Sequence, residues 1–158
     1  MRFHTVIWPA MLLAAGVEEY PLPKKIFAHG FFTIAGVKIS KSLGNAIDPL
    51  KITNEYGCDA LRYFLFKEFP FGNDGDFSFE RIKEVYNADL ANGLGNLVAR
   101  VAKLCENSGF NFDSTNQRFN LKVNKYLQEF KFNEALNWIW RSDVKWGLKW
   151  LDQLINEQ

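Results

Sequence analysis

The spacing of apolar residues changes character near residue 78. Before it, short apolar runs are broken by glycine and proline. After it, apolar residues recur every three or four positions, the period of a helix. Residues 2–15 predict a helix with Pro9 inside it, where a proline removes one hydrogen bond and tends to kink the chain. Gly16 reads as its stop, and Pro21 and Pro23 mark an extended connector. Lys25–His29 predicts a short strand. Phe31–Ile34 and Val37–Ile39 flank Ala35-Gly36, the signal of a hairpin. Asp48-Pro49 has the form of a helix N-cap with a first-turn proline. That helix should end at Gly57, and Asp59 should open another, carrying Leu61, Tyr63, Phe64 and Phe66.

The second half predicts helices only. Leu90, Leu94, Leu97, Val98, Val101 and Cys105 form one apolar stripe on a first long helix opening near Ser78. Asp89, Asn92, Asn96, Arg100 and Lys103 fall on the face opposite Leu94, Val98 and Val101. A second helix covers roughly 119–130 and a third about 132–156. Leu136, Ile139, Trp140, Val144, Leu148, Leu151 and Ile155 share one face of the third, with Gly147 among them to permit close approach. Trp146 and Trp150 lie to its side and read as packing residues. Three antiparallel helices with short connections make a small bundle. The expected fold is therefore mainly α: a small α/β part over 1–70, a turn-rich linker over 71–77, and a helical bundle over 78–158.

Composition narrows the class. The 158 residues are 47% hydrophobic and 23% charged, so a globular chain is expected rather than a disordered one. No apolar run is long enough for a membrane span, and the N-terminus has no signal-peptide pattern. A cytoplasmic protein without a membrane partner is expected. Cys58 and Cys105 read as reduced, buried thiols, and with only His4 and His29 besides, no metal site is expected. The net charge of +1 does not announce a nucleic acid, so any RNA contact must be local.

One stretch carries little packing value and much chemistry. Lys38-Ile39-Ser40-Lys41-Ser42, followed by Leu43-Gly44-Asn45, places two lysines and two hydroxyls in a glycine-flanked loop. Lysine is a compact charge on a flexible stem, suited to following phosphate oxygens. Serine hydroxyls and backbone N–H groups near a glycine add donors. Two readings stand on these residues alone: a triphosphate clamp, or an ordinary solvated loop. A P-loop does not fit. Gly30 and Gly36 enclose five residues rather than four, and Val37 precedes the lysine.

The loop resembles the K-M-S-K-S signature of class I aminoacyl-tRNA synthetases, with Ile39 in place of the usual Met. Other stretches agree in order with the methionyl family: Phe3-His4 with Trp8-Pro9-Ala10-Met11-Leu12, Phe27-Ala28-His29-Gly30-Phe31, Asp59-Ala60-Leu61-Arg62-Tyr63, and Asn87–Asn92 with Gly95–Arg100. The resemblance covers about 1–110 and continues more weakly to the end. It implies an ATP-dependent methionine–tRNA ligase. Lys38, Ile39, Ser40, Lys41 and Ser42 would bind ATP with its Mg2+, with Lys41 and Lys38 as the catalytic pair. His4 and Trp8 would lie near the methionine pocket; four residues apart, they share a helix face, and a thioether packs well on an aromatic ring. Asn96 and Arg100 would read anticodon bases, for which planar multi-donor groups are suited. On the residues alone, a core Trp with a satisfied His, and a solvated helix face, remain open readings of these two pairs.

No H-I-G-H-like motif occurs in the chain. The resemblance places that motif, the adenosine site and a zinc-bearing insertion upstream. The chain is thus expected to be the C-terminal part of a catalytic core joined to a helical anticodon-binding domain, truncated at its end and catalytically incomplete alone. Its expected partners are tRNA(Met), ATP and methionine, with no DNA. A stand-alone tRNA-binding module, or the relic of a broken synthetase gene, remains the alternative.

Overall fold

The computed structural model describes residues 1–16, 22–108 and 121–156, and of Lys41, Ser108, Trp150 and 153–156 the backbone only. Pro21, residues 119–120 of the expected second helix, and the side chains of Trp150 and Ile155 therefore lie outside the described residues. The chain opens with a wide π turn, Phe3–Ile7, that runs into α1, Trp8–Ala14. Pro9 falls in the first turn of α1, and the N–H of Trp8 reaches back to the Phe3 carbonyl. The extra residue in that turn separates the proline ring from the carbonyl it would otherwise strike. Gly16, at φ +62°, ends the helix as its sequence suggests.

Lys25–His29 is not a strand. A strand needs a neighbour for its backbone, and here the segment is held by its side chains instead. Phe27 packs on Phe71 at 5.3 Å and on Phe130 at 4.9 Å. The hairpin does form: β1, Phe32–Ile34, and β2, Val37–Lys38, are antiparallel with Thr33 opposite Lys38 and Ile34 opposite Val37. Its other neighbour comes from the turn-rich stretch. β3, Gly75–Asp76, pairs parallel with β1, so the sheet order is β2-β1-β3. Close approach there depends on Gly30 and Gly75. A Cβ on Gly30 would overlap the Asn73 carbonyl, and one on Gly75 would overlap the Phe69 ring.

α2, Pro49–Tyr56, starts as its N-cap dictates: Asp48 accepts from the Leu50 N–H at 2.9 Å. Gly57, at φ +87°, ends α2 and leads into α3, Cys58–Glu68. Cys58 is exposed there, contrary to the expected buried thiol, because the first residue of α3 points away from the core. The core of this part is Ile52, Phe64, Phe69, Phe77, Ile82 and Val85. Phe64 and Ile82 are its most buried side chains, each 1% exposed.

Ser78 caps α4, Phe79–Val85, accepting from the Arg81 N–H at 3.0 Å. The helix continues through a π segment, Tyr86–Gly95, into α5, Asn96–Ser108. α6, Leu121–Gln128, turns into α7, Phe132–Ile139, which continues through a second π turn, Trp140–Val144, into α8, Lys145–Asn156.

The stripe expected to bury α5 is packed only in part: Leu90, Leu97 and Cys105 are half-buried. Leu94, Val98 and Val101 are 40%, 59% and 40% exposed among the described residues. Contact with the third long helix is made one step round. Gly93 lies against Trp140 and Val144, Leu97 against Gly147, and Arg100 bonds Asp152. These pairs run in the same order along both helices, so the two are parallel, as first and third helices of an up-down-up arrangement are. The shift has a local cause. A π segment inserts an extra residue and rotates the downstream helix, which a count at 3.6 residues per turn misses. Close approach at Gly147 is as expected: an added Cβ would sit 3.1 Å from Leu97 Cδ1.

Candidate functional site

The loop 38–45 is built from its backbone outward. Ala35 and Gly36 have φ of +50° and +74°, the left-handed pair that a two-residue hairpin turn needs. Gly36 adopts this freely, whereas Ala35 pays a steric cost, so the turn needs support from outside. Asp76 of β3 gives it: its Oδ1 accepts from the Gly36 N–H at 2.9 Å and from Thr33 Oγ1 at 2.6 Å. These bonds hold the Asp76 carboxyl below its usual range, the Thr33 hydroxyl contributing most. Just before β3, parallel pairing is steadied by Asp74, whose Oδ1 accepts from the Phe31 N–H at 2.7 Å.

Beyond β2, Asn45 braces the loop from within. Its Oδ1 accepts from the Ser40 N–H at 2.8 Å, and its Nδ2 donates to the Lys38 carbonyl at 3.1 Å. Ser40 Oγ and Ser42 Oγ lie 2.7 Å apart, and the Leu43 N–H donates to the Ser40 carbonyl at 3.2 Å within a 3-10 turn, Lys41–Leu43. Lys38 is exposed, with its ammonium 4.3 Å from the centre of the Phe31 ring. Ile39 and Ser40 are half-buried and Ser42 is exposed. The side chain of Lys41 lies outside the described residues. The site is thus a short loop of fixed backbone presenting a lysine and two hydroxyls to solvent. Such a loop can donate hydrogen bonds and positive charge to an anion.

The other candidates are placed elsewhere. His4 and Trp8 lie on the opening helix, both exposed, and no residue of that helix is buried. Among the described residues, no hydrogen bond, ion pair or ring contact joins either to residues 38–45. Asn96 is exposed at the start of α5. Arg100 does not stand free for a base. Its guanidinium donates to Asp152 Oδ1 at 2.8 Å, and its side chain is only 28% exposed. The rotation that brings Leu97 to Gly147 of α8 carries Arg100 with it. Trp146 is 62% exposed rather than packed, with the Lys149 ammonium 5.4 Å from its ring.

Asp89 was placed by spacing on a solvated face, yet it forms the half-buried joint between α3 and the long helix. It pairs with Lys67, accepts from Tyr63 Oη at 2.8 Å, and offers its carbonyl to Trp140 Nε1 at 3.3 Å. Burial, then the Asp89 bond, raises the Tyr63 phenol well above its usual range. Sequence reading missed Asn45, Asp74 and Asp76 as well. Asn after Gly44, and Asp in a turn-rich run, look like ordinary turn residues; only pairing across the sheet reveals their partners. Among the described residues no group of three or more His, Cys, Asp or Glu side chains could hold a metal ion.

Comparison with known proteins gives this geometry its context. The family described as tRNA synthetases class I (M) matches residues 1–102. The methionine–tRNA ligase of Caldanaerobacter subterraneus subsp. tengcongensis is 43% identical over 97% of this chain, which covers 26% of that protein. That of Thermotoga maritima is 46% identical over 88% of the chain, covering 24% of its own length. Methionyl-tRNA synthetase from Mycobacterium tuberculosis, solved in complex with methionyl-adenylate, superposes with a TM-score of 0.72 at 38% identity. The chain covers 30% of that structure, which in turn covers 88% of the chain. This chain spans about a quarter of the length of the curated relatives it matches. Matched over most of its residues by one family and by these relatives, the chain belongs to the class I tRNA synthetases of the methionine type.

Proposed function

We propose that the chain is the part of a methionine–tRNA ligase that carries the phosphate-handling loop and the first RNA-binding helices. In the complete reaction a methionine carboxylate oxygen attacks the α-phosphorus of ATP. The bond to the β-phosphate bridging oxygen breaks and pyrophosphate leaves; a hydroxyl at the 3′ end of the tRNA then attacks the methionyl carbonyl, and AMP leaves. This chemistry needs charge stabilisation and positioning more than a nucleophilic side chain. Lys38 and Lys41 would supply cations to the phosphates as the β,γ-unit gathers charge, and Ser40 and Ser42 would add donors. ATP would arrive with its Mg2+ as substrate. A preorganised donor at such a place is worth about 3–4 kcal/mol, or roughly two to three powers of ten in rate.

The observation that carries the reading is the bracing of 38–45 by Asn45, and of the hairpin turn that leads into it by Asp76. An ordinary solvated loop needs no such support; a loop that must meet a triphosphate in one geometry does. His4 and Trp8 are proposed to face methionine, and Asn96 to face an anticodon base. Arg100 would reach a base only by giving up Asp152. The segment 1–70 would serve catalysis and 78–158 RNA binding, with 71–77 between. Among the described residues no helix is long and apolar enough to cross a membrane.

The test is a transplant. The matching segment of the Thermotoga maritima ligase is replaced by this chain, and methionine-dependent ATP–pyrophosphate exchange is measured. Exchange is expected, and Lys41→Ala in the chimera should lower it by about a hundredfold or more while methionine affinity holds. An exchange-competent chimera indifferent to Lys41→Ala would sink the assignment. The chain alone is expected to show no exchange. If it nonetheless binds methionine tRNA in preference to a tRNA of different anticodon, the stand-alone binding module becomes the better reading.

A further inference from the structure

Phe130 closes the turn between α6 and α7 in a conformation that its side chain disfavours. Its φ is +59°, the left-handed region, where a bulky residue is a true outlier. Glycine or asparagine would close the same turn at little cost. The turn itself is tightly tied: the Phe130 N–H donates to the Leu127 carbonyl at 3.1 Å, and the Lys131 N–H to the Tyr126 carbonyl at 2.9 Å. A strained residue persists where its surroundings over-determine it, and here the surroundings are aromatic. Phe27 stacks on Phe130 with centroids 4.9 Å apart and planes 18° apart. The Lys25 ammonium lies 4.9 Å from the centre of the Phe130 ring.

The stack does not end there. Phe27 meets Phe71 at 5.3 Å, Phe71 meets His29 edge-on at 6.4 Å, and His29 stacks on Phe32 of β1 at 6.0 Å. His29 is itself fixed, its Nδ1 2.7 Å from the Gly30 carbonyl. The Phe32 carbonyl then accepts from the Ile39 N–H at 3.3 Å. Contact is continuous from the α6–α7 turn to the first residues of the lysine loop. It also replaces the backbone pairing that Lys25–His29 lacks. Ordinary core packing does not describe it: Phe27 is 41% exposed, and the rings run along the surface.

We propose that Phe130 is a positioning residue. Its strained, stacked ring clamps segment 25–29 to the helical half and thereby sets the position of β1 and of Ile39 at the start of the signature loop. A shift of the α6–α7 turn is then transmitted to the loop. The consequence for catalysis rests on the reading of 38–42 as the phosphate loop, but the positioning does not. Spatial continuity alone is not proof of coupling, so the test reads the loop directly.

Amide hydrogen exchange is measured on the full 158-residue chain, without ATP, in the wild type and in Phe130→Gly, Phe130→Tyr and Phe27→Leu. Phe130→Gly relieves the strain and deletes the ring. Phe27→Leu keeps apolar bulk and the turn but ends the stacking. Both should speed exchange of the Ile39 amide by roughly tenfold or more, and leave that of Ile82, in the core, unchanged. Phe130→Tyr keeps the ring and should match the wild type. Unchanged Ile39 exchange would overturn the proposal. So would equal acceleration at Ile39 and Ile82, the mark of simple stability loss. Should Phe130→Gly fail to fold, Phe27→Leu decides by the same criterion. Because no nucleotide is present, failure here is distinct from failure of the ligase reading, which the transplant assay reports.

Discussion

Gly36 and Asp76 are joined across 40 positions of sequence: the Gly36 N–H donates to Asp76 Oδ1 at 2.9 Å. Thr33 Oγ1 donates to the same oxygen at 2.6 Å. A single carboxylate on β3 therefore holds both β1 and the turn that leads from it, and it does so one strand-length before Lys38.

That arrangement predicts a pH dependence confined to acid. The Asp76 carboxyl is lowered by the Thr33 hydroxyl first and the Gly36 amide next. A carboxyl depressed in the folded state stabilises it above the unfolded pKa, about 4, and the effect is lost as pH falls through the lower folded value. The Gly36 amide should stay protected from exchange between pH 5 and 8 and lose protection only below about pH 4. In Asp76→Ala its protection should already be low at pH 7. Full protection of Gly36 in that variant would show that the turn holds itself.

The joint at Asp89 predicts the opposite limb. Tyr63 is raised by burial and by its bond to Asp89. A phenol raised in the folded state contributes stability that is fully present below its unfolded pKa of about 10 and fades as pH rises beyond it. Urea unfolding should therefore be flat from pH 8 to 9.5 and weaken above 10, and Tyr63→Phe should flatten that decline. Asp89→Ala leaves the Lys67 ammonium, 17% exposed, without its carboxylate and with the Tyr63 hydroxyl in its place, and should cost about 2–3 kcal/mol. The double variant Lys67→Met with Asp89→Leu should cost less than Asp89→Ala alone, since the pair's desolvation is then relieved.

What was legible in the sequence follows from range. Asp48, Gly57, Gly16 and Ser78 act on backbone groups within four residues, and each was read correctly from its immediate neighbours. The hairpin at Ala35-Gly36 belongs with them. Lys25–His29 looked like a strand because its composition suits one, but pairing is decided by a partner, and the partner of β1 proved to be Gly75–Asp76, two residues amid turn formers. The stripe on α5 held only in part, for another reason. The π segment Tyr86–Gly95 shifts the phase of the residues after it, so Arg100 turned to Asp152 and Val98 and Val101 to solvent. Asn45, Asp74 and Asp76 bond backbone or side chains that sequence reading could not bring beside them.

Gly30 is a point where the sheet tolerates no side chain. A Cβ there would overlap the backbone of Asn73 and Asp74, and backbone has no rotamer to yield with. Gly30→Ala must push β3 away from β1 and draw the Asp74 carboxylate off the Phe31 N–H. The expected loss is about 2–3 kcal/mol, at the upper end of overpacking costs. Gly44→Ala is the control. Its added Cβ meets nothing, and its φ of +68° costs only local strain, about 1 kcal/mol. Thermal melts should rank wild type above Gly44→Ala above Gly30→Ala. A Gly30→Ala protein as stable as the wild type would refute the close approach of β1 and β3.

Asn45 offers the sharpest separation between bracing and chemistry. Its amide accepts from the Ser40 N–H and donates to the Lys38 carbonyl, so it ties the two backbone groups that flank Ile39. Asn45→Asp keeps the acceptor and loses the donor; Asn45→Ala loses both. At about 1 kcal/mol per neutral hydrogen bond, the loop should sample its working geometry roughly fivefold less in Asn45→Asp and some thirtyfold less in Asn45→Ala. In the Thermotoga maritima chimera this predicts ATP–pyrophosphate exchange falling in that order, through kcat, because a brace sets the geometry of the loop without adding a substrate contact. The methionine KM should hold. Lys38→Ala, by contrast, would remove a proposed phosphate contact itself and should also raise the KM for ATP. If Asn45→Ala left kcat intact and raised only the KM for ATP, Asn45 would be a binding group rather than a brace, and the fixed loop would not be what the reaction needs.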